Sequence, residues 1–150
     1  MSRIVLLDAG PLGLLSNPRS SPEGEACDRW LKSLATKGVE VKIPEIADYE
    51  VRRELLRADK MGSIEKLNNM GKDLGSIPLS TETMLLAAYF WAQMRKAGKP
   101  TADNKALDCD VILAAQAANL SIEGHEVVIA TTNVKHLSRL VDAKEWKDIS

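Results

Sequence analysis

The segment LDCDVILAAQA, residues 107–117, sets two carboxylates, Asp108 and Asp110, directly ahead of an apolar run. Asp8 stands directly behind another such run, IVLL, and Thr131, Thr132 and Asn133 stand directly behind VVIA. Glu50 falls inside EIADYEVRRELLRAD, a helical pattern, about one turn from its start. Acids carried on strand ends and helix starts are held rigidly. Clustered together they resist ionisation. A hard divalent cation removes that cost: Mg²⁺ takes oxygen ligands, keeps several waters and is commonly held by only a few carboxylates. Such an ion activates water and stabilises charge on a phosphodiester.

Each residue also has an ordinary structural reading. Asp8 suits a turn made with Gly10 and Pro11. Asp108 suits a helix N-cap, with Asp110 favoured by the dipole in the first turn. Glu50 suits a solvated helix face near Arg53 and Glu54, and Asn133 suits a plain turn. None is diagnostic singly; their order and placement together carry the case.

The elements that must position these residues alternate along the chain. Strands are expected at 3–7, 39–44, 76–80 and 126–133, with AKEWKDI as a short closing edge strand. Helices are expected at 22–38, 45–59, 63–75, 81–98 with Thr81 as N-cap, 107–121, and briefly over VKHLSRLV. Residues 99–106 read as a polar connection. Alternation of this kind implies a parallel sheet covered on both faces. In such sheets ligands sit beyond the carboxyl ends of the strands. Asp8 and Asn133 follow their strands at that end, so acids distant in sequence can converge there.

The totals narrow the function classes. A chain of 150 residues without repeats or linker suits one domain, residues 1–150. No apolar run approaches the ~20 residues that span a bilayer, and the first strand does not read as a signal peptide, so a cytoplasmic protein is expected. Two cysteines, Cys27 and Cys109, and two histidines, His125 and His136, form no zinc spacing and no nucleophile triad. The net charge of −1 advertises no nucleic acid, although a local basic face remains open.

The order of these stretches resembles the PIN domain family, in particular the VapC-like toxin ribonucleases, over essentially the whole chain. IVLLDAGPL resembles the family's opening strand with its first acid, Asp8. IPEIADYEVRRELLR, the most family-specific stretch, resembles the second motif, with Glu50 as its acid. In LDCDVILAAQA, Asp110 fits the third acid, because DVILAA follows it, and Asp108 is an additional acid. IATTNVKHL resembles the last motif, with Asn133 in place of an Asp, which removes one charge.

The resemblance implies a three-layer α/β/α sandwich and a metal-dependent endoribonuclease, the toxin of a type II toxin–antitoxin pair. It implies Asp8, Glu50 and Asp110 as catalytic metal ligands for Mg²⁺ or Mn²⁺, and Asp108 as a further or outer ligand. Thr131 and Asn133 would position a water or a ligand. RNA would be held by basic flanks: Arg52 and Arg53 with Arg57 and Lys60, then Arg95, Lys96, Lys99 and Lys105, then Lys135, His136 and Arg139. An antitoxin partner and a homodimer are implied, the latter through MLLAAYFWAQM, which is expected to pack both on the sheet and on a second chain. Trp30 and Trp91 lie in helical apolar stripes that suit packing rather than base stacking.

Two other readings stand beside this one. A catalytically inactive PIN-like module that binds RNA or protein is favoured by Asn133. A phosphotransfer protein with Asp8 as acceptor is disfavoured, because position 10 is Gly rather than a second Asp.

Overall fold

The computed structural model describes residues 3–17, 19, 21–98 and 104–150. Its sheet is built around β1 (Arg3–Leu7), which pairs with β2 (Glu40–Pro44) on one side and β4 (Glu126–Thr131) on the other. The order is β3–β2–β1–β4–β5, with β3 (Ser76–Ile77) and β5 (Ala143–Glu145) at the edges and every pairing parallel. The three-layer α/β/α sandwich around a parallel sheet is thus the observed architecture.

The apolar runs of β1 and β4 are continuous because both faces of a central parallel strand are covered. Val5 and Leu7 point into one core, with Val41, Ile43, Val128 and Ala130 beside them. Helices α1 (Ala9–Ser16), α2 (Pro22–Thr36) and α4 (Met61–Leu74) close that side through Leu12, Leu15, Leu34 and Leu67. Ile4, Leu6, Val127 and Ile129 point the other way, against Leu113 and Ala117 of α6 (Asn104–Ile122) and Leu137 of α7 (Val134–Leu137). Leu6, Leu7 and Ile129 are fully buried, each contributing roughly 1.5–3 kcal/mol relative to exposure. Helix α3 (Glu45–Arg57) reaches both cores, with Ala47 and Val51 in the first and Ile46 in the second. It is therefore anchored to the sheet just where Glu50 begins its second turn. Among the described residues no helix is long and apolar enough to cross a membrane.

Four expectations change. The segment after Asp8 is not a turn but α1, eight residues long. Pro11 is its third residue, where a backbone N–H has no intrahelical partner to lose. The N-cap of α5 (Thr81–Lys96) is Ser80, whose hydroxyl accepts from the Thr83 N–H at 3.1 Å, not Thr81. Helix α5 makes its main packing against α6 rather than the sheet, through Ala87, Leu107, Val111 and Ala115. Finally, α6 is already helical at Asn104, so Asp108 is an interior residue and not an N-cap. The polar connection expected over 99–106 falls largely outside the described residues, as does Lys99.

Candidate active site

Asp8 is fixed from two directions. It is the N-cap of α1, its Oδ1 accepting the Ala9 N–H at 2.7 Å. Its Oδ2 accepts the Thr131 hydroxyl at 2.7 Å, from the end of β4. Its own N–H donates to the Ala130 carbonyl at 2.9 Å, continuing the ladder between the two strands. Thr131 is fully buried, and its hydroxyl oxygen also accepts the Asn133 N–H at 2.8 Å. One threonine thus ties the first acid to the last motif. Gly10 makes the approach possible: a Cβ there would stand 2.7 Å from Thr132 Oγ1.

Glu50 and Asp110 arrive from α3 and α6, neighbours across the second core. Burial raises the pKa of all three acids above the usual carboxylate range. For Asp8, the Thr131 and Ala9 hydrogen bonds oppose that rise. For Glu50, the Asp8 charge adds to it, while Arg53 and a hydrogen bond from the Cys109 thiol oppose it. Asp110 is pushed up to about 7, by burial first and then by the charges of Asp8 and Glu50. The three carboxylates therefore lie within electrostatic reach of one another. Cys109, buried between Glu50 and Asp110, has its own thiol pushed up to about 11, mainly by burial. It acts there as a neutral donor rather than a nucleophile.

The Oδ2 of Asp110 is buried and has no hydrogen-bond partner; among the described residues the only other such side-chain atom is Trp146 Nε1, in the opposite layer. A buried unpaired acceptor is costly. His136 lies beside it, Nδ1 to Oδ2 3.8 Å, and the Asn133 amide Nδ2 is 3.2 Å from that same ring nitrogen. Asp8, Thr131, Asn133, His136 and Asp110 thus form one polar arc around the carboxyl end of β1 and β4. Sequence spacing did not single out His136 as part of the site, nor Cys109. The meeting of α7 with α6 that brings His136 to Asp110 is tertiary, and the only local signal was the three-residue step from Asn133.

Asp108 does not join the cluster. It is exposed and lines an apolar groove between α5 and α6 with Met84, Ala88, Trp91 and Ile112. Residues two apart on a helix point to opposite sides, so Asp108 and Asp110 cannot face one ligand from this helix. The expectation of Asp108 as a metal ligand is corrected accordingly. Arg52 is also committed elsewhere: its guanidinium holds the Asp48 carboxylate at 2.8 and 3.1 Å. Arg53 is exposed and lies over the Tyr49 ring at 5.1 Å. Arg57 pairs with Glu54 at 2.8 Å. Trp30 packs on Trp146, ring centroids 5.6 Å apart, in accord with a core role.

No three described His, Cys, Asp or Glu side chains converge into a ready-made ligand cage. The donor set nevertheless suits a hard divalent cation. It offers three carboxylates whose ionisation is resisted by burial and by one another, and one of them carries an unpaired buried oxygen. A cation lowers both costs together. Asp8, Glu50 and Asp110 are the side chains that would hold such an ion.

No family model matches the sequence, and neither does any curated protein sequence. Solved structures do match in fold. VapBC2 from Rickettsia felis, bound to a DNA fragment from its promoter, aligns with TM-score 0.74 at 17% identity, over 95% of this chain and 98% of that one. VapBC-1 from nontypeable Haemophilus influenzae gives TM-score 0.69 at 16% identity, over 97% and 99%. FitAcB from Neisseria gonorrhoeae gives 0.63 at 18%, over 97% and 99%. Whole-chain agreement at that level means that this chain has the fold of a VapC-like PIN domain.

Proposed function

We propose that this chain is a divalent-cation-dependent endoribonuclease and the toxin of a type II toxin–antitoxin pair. The observation that carries the reading is the coupling of Asp8, Glu50 and Asp110, drawn from three elements, around the unpaired buried Oδ2 of Asp110. Asp8, Glu50 and Asp110 would hold Mg²⁺ or Mn²⁺, which would supply an activated water and neutralise charge on the scissile phosphodiester. The chain's own residues prepare that site. Thr131 and the Ala9 N–H fix both oxygens of Asp8, so its carboxylate enters the site in one orientation. The Cys109 thiol steadies Glu50. Asn133 closes the arc as a neutral group and holds the His136 ring. Arg53 on α3 and Lys135 and Arg139 after β4 are exposed cations on either side, suited to phosphate contacts that position RNA without reading its sequence.

The partner reading rests on the neighbours, which are VapBC and FitAcB structures, and on the exposed apolar side of α5. Leu85 and Tyr89 are more than half exposed there, a surface suited to a second copy of the chain or to an antitoxin. Cleavage of a structured RNA tests the enzyme reading. Cleavage in Mg²⁺ or Mn²⁺, lost on adding EDTA and lost in Asp110→Asn with RNA binding retained, is the expected result. RNA binding without cleavage in either metal would favour the inactive module that the Asn133 position already suggests.

A further inference from the structure

The site contains a nitrogen donor that the carboxylate reading does not use. The Asn133 amide Nδ2 stands 3.2 Å from His136 Nδ1. In the tautomer that carries its hydrogen on Nε2, the ring nitrogen meets the amide with a lone pair. Asp110 Oδ2, also an acceptor, lies 3.8 Å from that nitrogen and is buried without a partner. At 3.8 Å the two are too far apart for a direct hydrogen bond, and the Asp110 oxygen stays without a hydrogen-bond partner. A metal ion can reach both: with bonds of roughly 2.0–2.2 Å to each donor, one ion spans separations up to about twice that length.

We propose that His136 Nδ1 and Asp110 Oδ2 bind one cation between them, making the centre a mixed nitrogen and oxygen site that selects Mn²⁺ over Mg²⁺. The proposal rests on the metal-dependent reading above and specifies which ion it takes. Its chemistry is that of the donors. An all-oxygen set suits Mg²⁺, whereas imidazole favours transition ions of intermediate softness. The Asn133 amide holds the ring by its lone pair and yields that lone pair to the ion. His136 is placed for this by α7, which packs Leu137 into the second core.

The test measures binding, not turnover. Calorimetric titration of the full chain with Mn²⁺ and with Mg²⁺ is expected to favour Mn²⁺ by about tenfold or more, the scale on which even outer partners of metal ligands act. His136→Ala is expected to erase that preference by lowering Mn²⁺ affinity about tenfold or more. A second measurement does not depend on any variant folding. Pulsed electron paramagnetic resonance of Mn²⁺ on the wild-type chain should show a ¹⁴N coupling that disappears when histidine alone is ¹⁵N-labelled. The only other histidine, His125, lies before the opposite end of β4, so the signal reports on His136. Mn²⁺ bound without a histidine coupling, with His136→Ala unchanged in preference, would overturn the inference and leave the carboxylate site standing. Failure of the wild type to bind either ion would overturn both.

Discussion

Two polar side chains of α6, Asp110 and Gln116, are drawn toward the same protein interior and meet opposite conditions. They stand six positions apart, roughly 9 Å along the helix axis at 1.5 Å per residue. Gln116 is fully buried and fully used. Its Oε1 accepts the Ile46 N–H at 3.4 Å, and its Nε2 donates to the Ile77 and Pro78 carbonyls at 2.7 and 3.4 Å. It fastens the start of α3 and the end of β3 to α6. Asp110 has a buried oxygen with no partner, two acids nearby and a pKa near 7. One polar group is satisfied by the fold and stabilises it. The other is left unsatisfied by the fold. The same helix thus carries a structural clamp and a functional demand.

The largest effect that would break this contrast is on activity. Asp110→Asn is expected to abolish RNA cleavage while leaving the chain folded, because it removes a metal ligand but relieves repulsion. Cleavage rates in Mn²⁺ with a parallel thermal melt check both halves. A variant that unfolds would place Asp110 with Gln116 as structural.

Next in size is the reverse experiment. Gln116→Leu strands the Ile46 N–H and the Ile77 carbonyl inside the protein and should cost about 3 kcal/mol, at the 1–3 kcal/mol typical of each unsatisfied buried group. Denaturant unfolding measures it, and the Mg²⁺ affinity of the surviving folded fraction should be unchanged. A shift in midpoint worth less than ~1 kcal/mol would mean that the clamp is replaceable by packing.

How far these roles were legible in the sequence depends on whether they are local. The strands were legible because IVLL and VVIA are buried on both faces, and Asp8 and Asn133 were legible because they terminate them. The α1 helix was not, since Gly10 and Pro11 normally punctuate. Here Gly10 is demanded by Thr132 beside it, and Pro11 sits in the first turn, where it costs no hydrogen bond. Asp108 was named as an additional acid beside the third motif, on a helix read as beginning there. The extra turn from Asn104 makes the helix continuous through both acids and sends their side chains opposite ways. Gln116 was hidden inside an apolar run, and His136 inside a list of cations. Both owe their roles to a neighbour more than 20 positions away, Ile46 and Asp110 respectively.

A smaller effect is the pH dependence that sharpens the contrast. Asp110 has an ordinary value of 3.8 and is pushed up to about 7 in the fold. Between those values the folded chain keeps a proton that the unfolded chain has released, so stability falls as pH rises. The contribution is fully present below about 3.8 and is gone above about 7. Asp8 and Glu50, also raised, push in the same direction. In EDTA, the melting temperature of the wild type should therefore drop between pH 5 and 8 by more than that of Asp110→Asn (pH values on the order of the shifted range). Saturating Mn²⁺ should close the gap. Equal slopes would mean that Asp110 is ionised throughout.

The smallest expected effect is at Asp108. Asp108→Asn should change metal affinity and cleavage by no more than about twofold, since a side chain two positions away on the helix faces elsewhere. A loss comparable with that of Asp110→Asn would return Asp108 to the site.

The central claim is that Asp110 belongs to a crowded carboxylate cluster whose charge a divalent cation balances. The most direct measurement is the ¹³C chemical shift of the Asp110 carboxyl across pH, in EDTA and again in saturating Mg²⁺. The predicted result is a midpoint near 7 in EDTA and full ionisation at neutral pH once Mg²⁺ is bound, with a proton released on binding. A midpoint near 3.8 that Mg²⁺ does not move would contradict it.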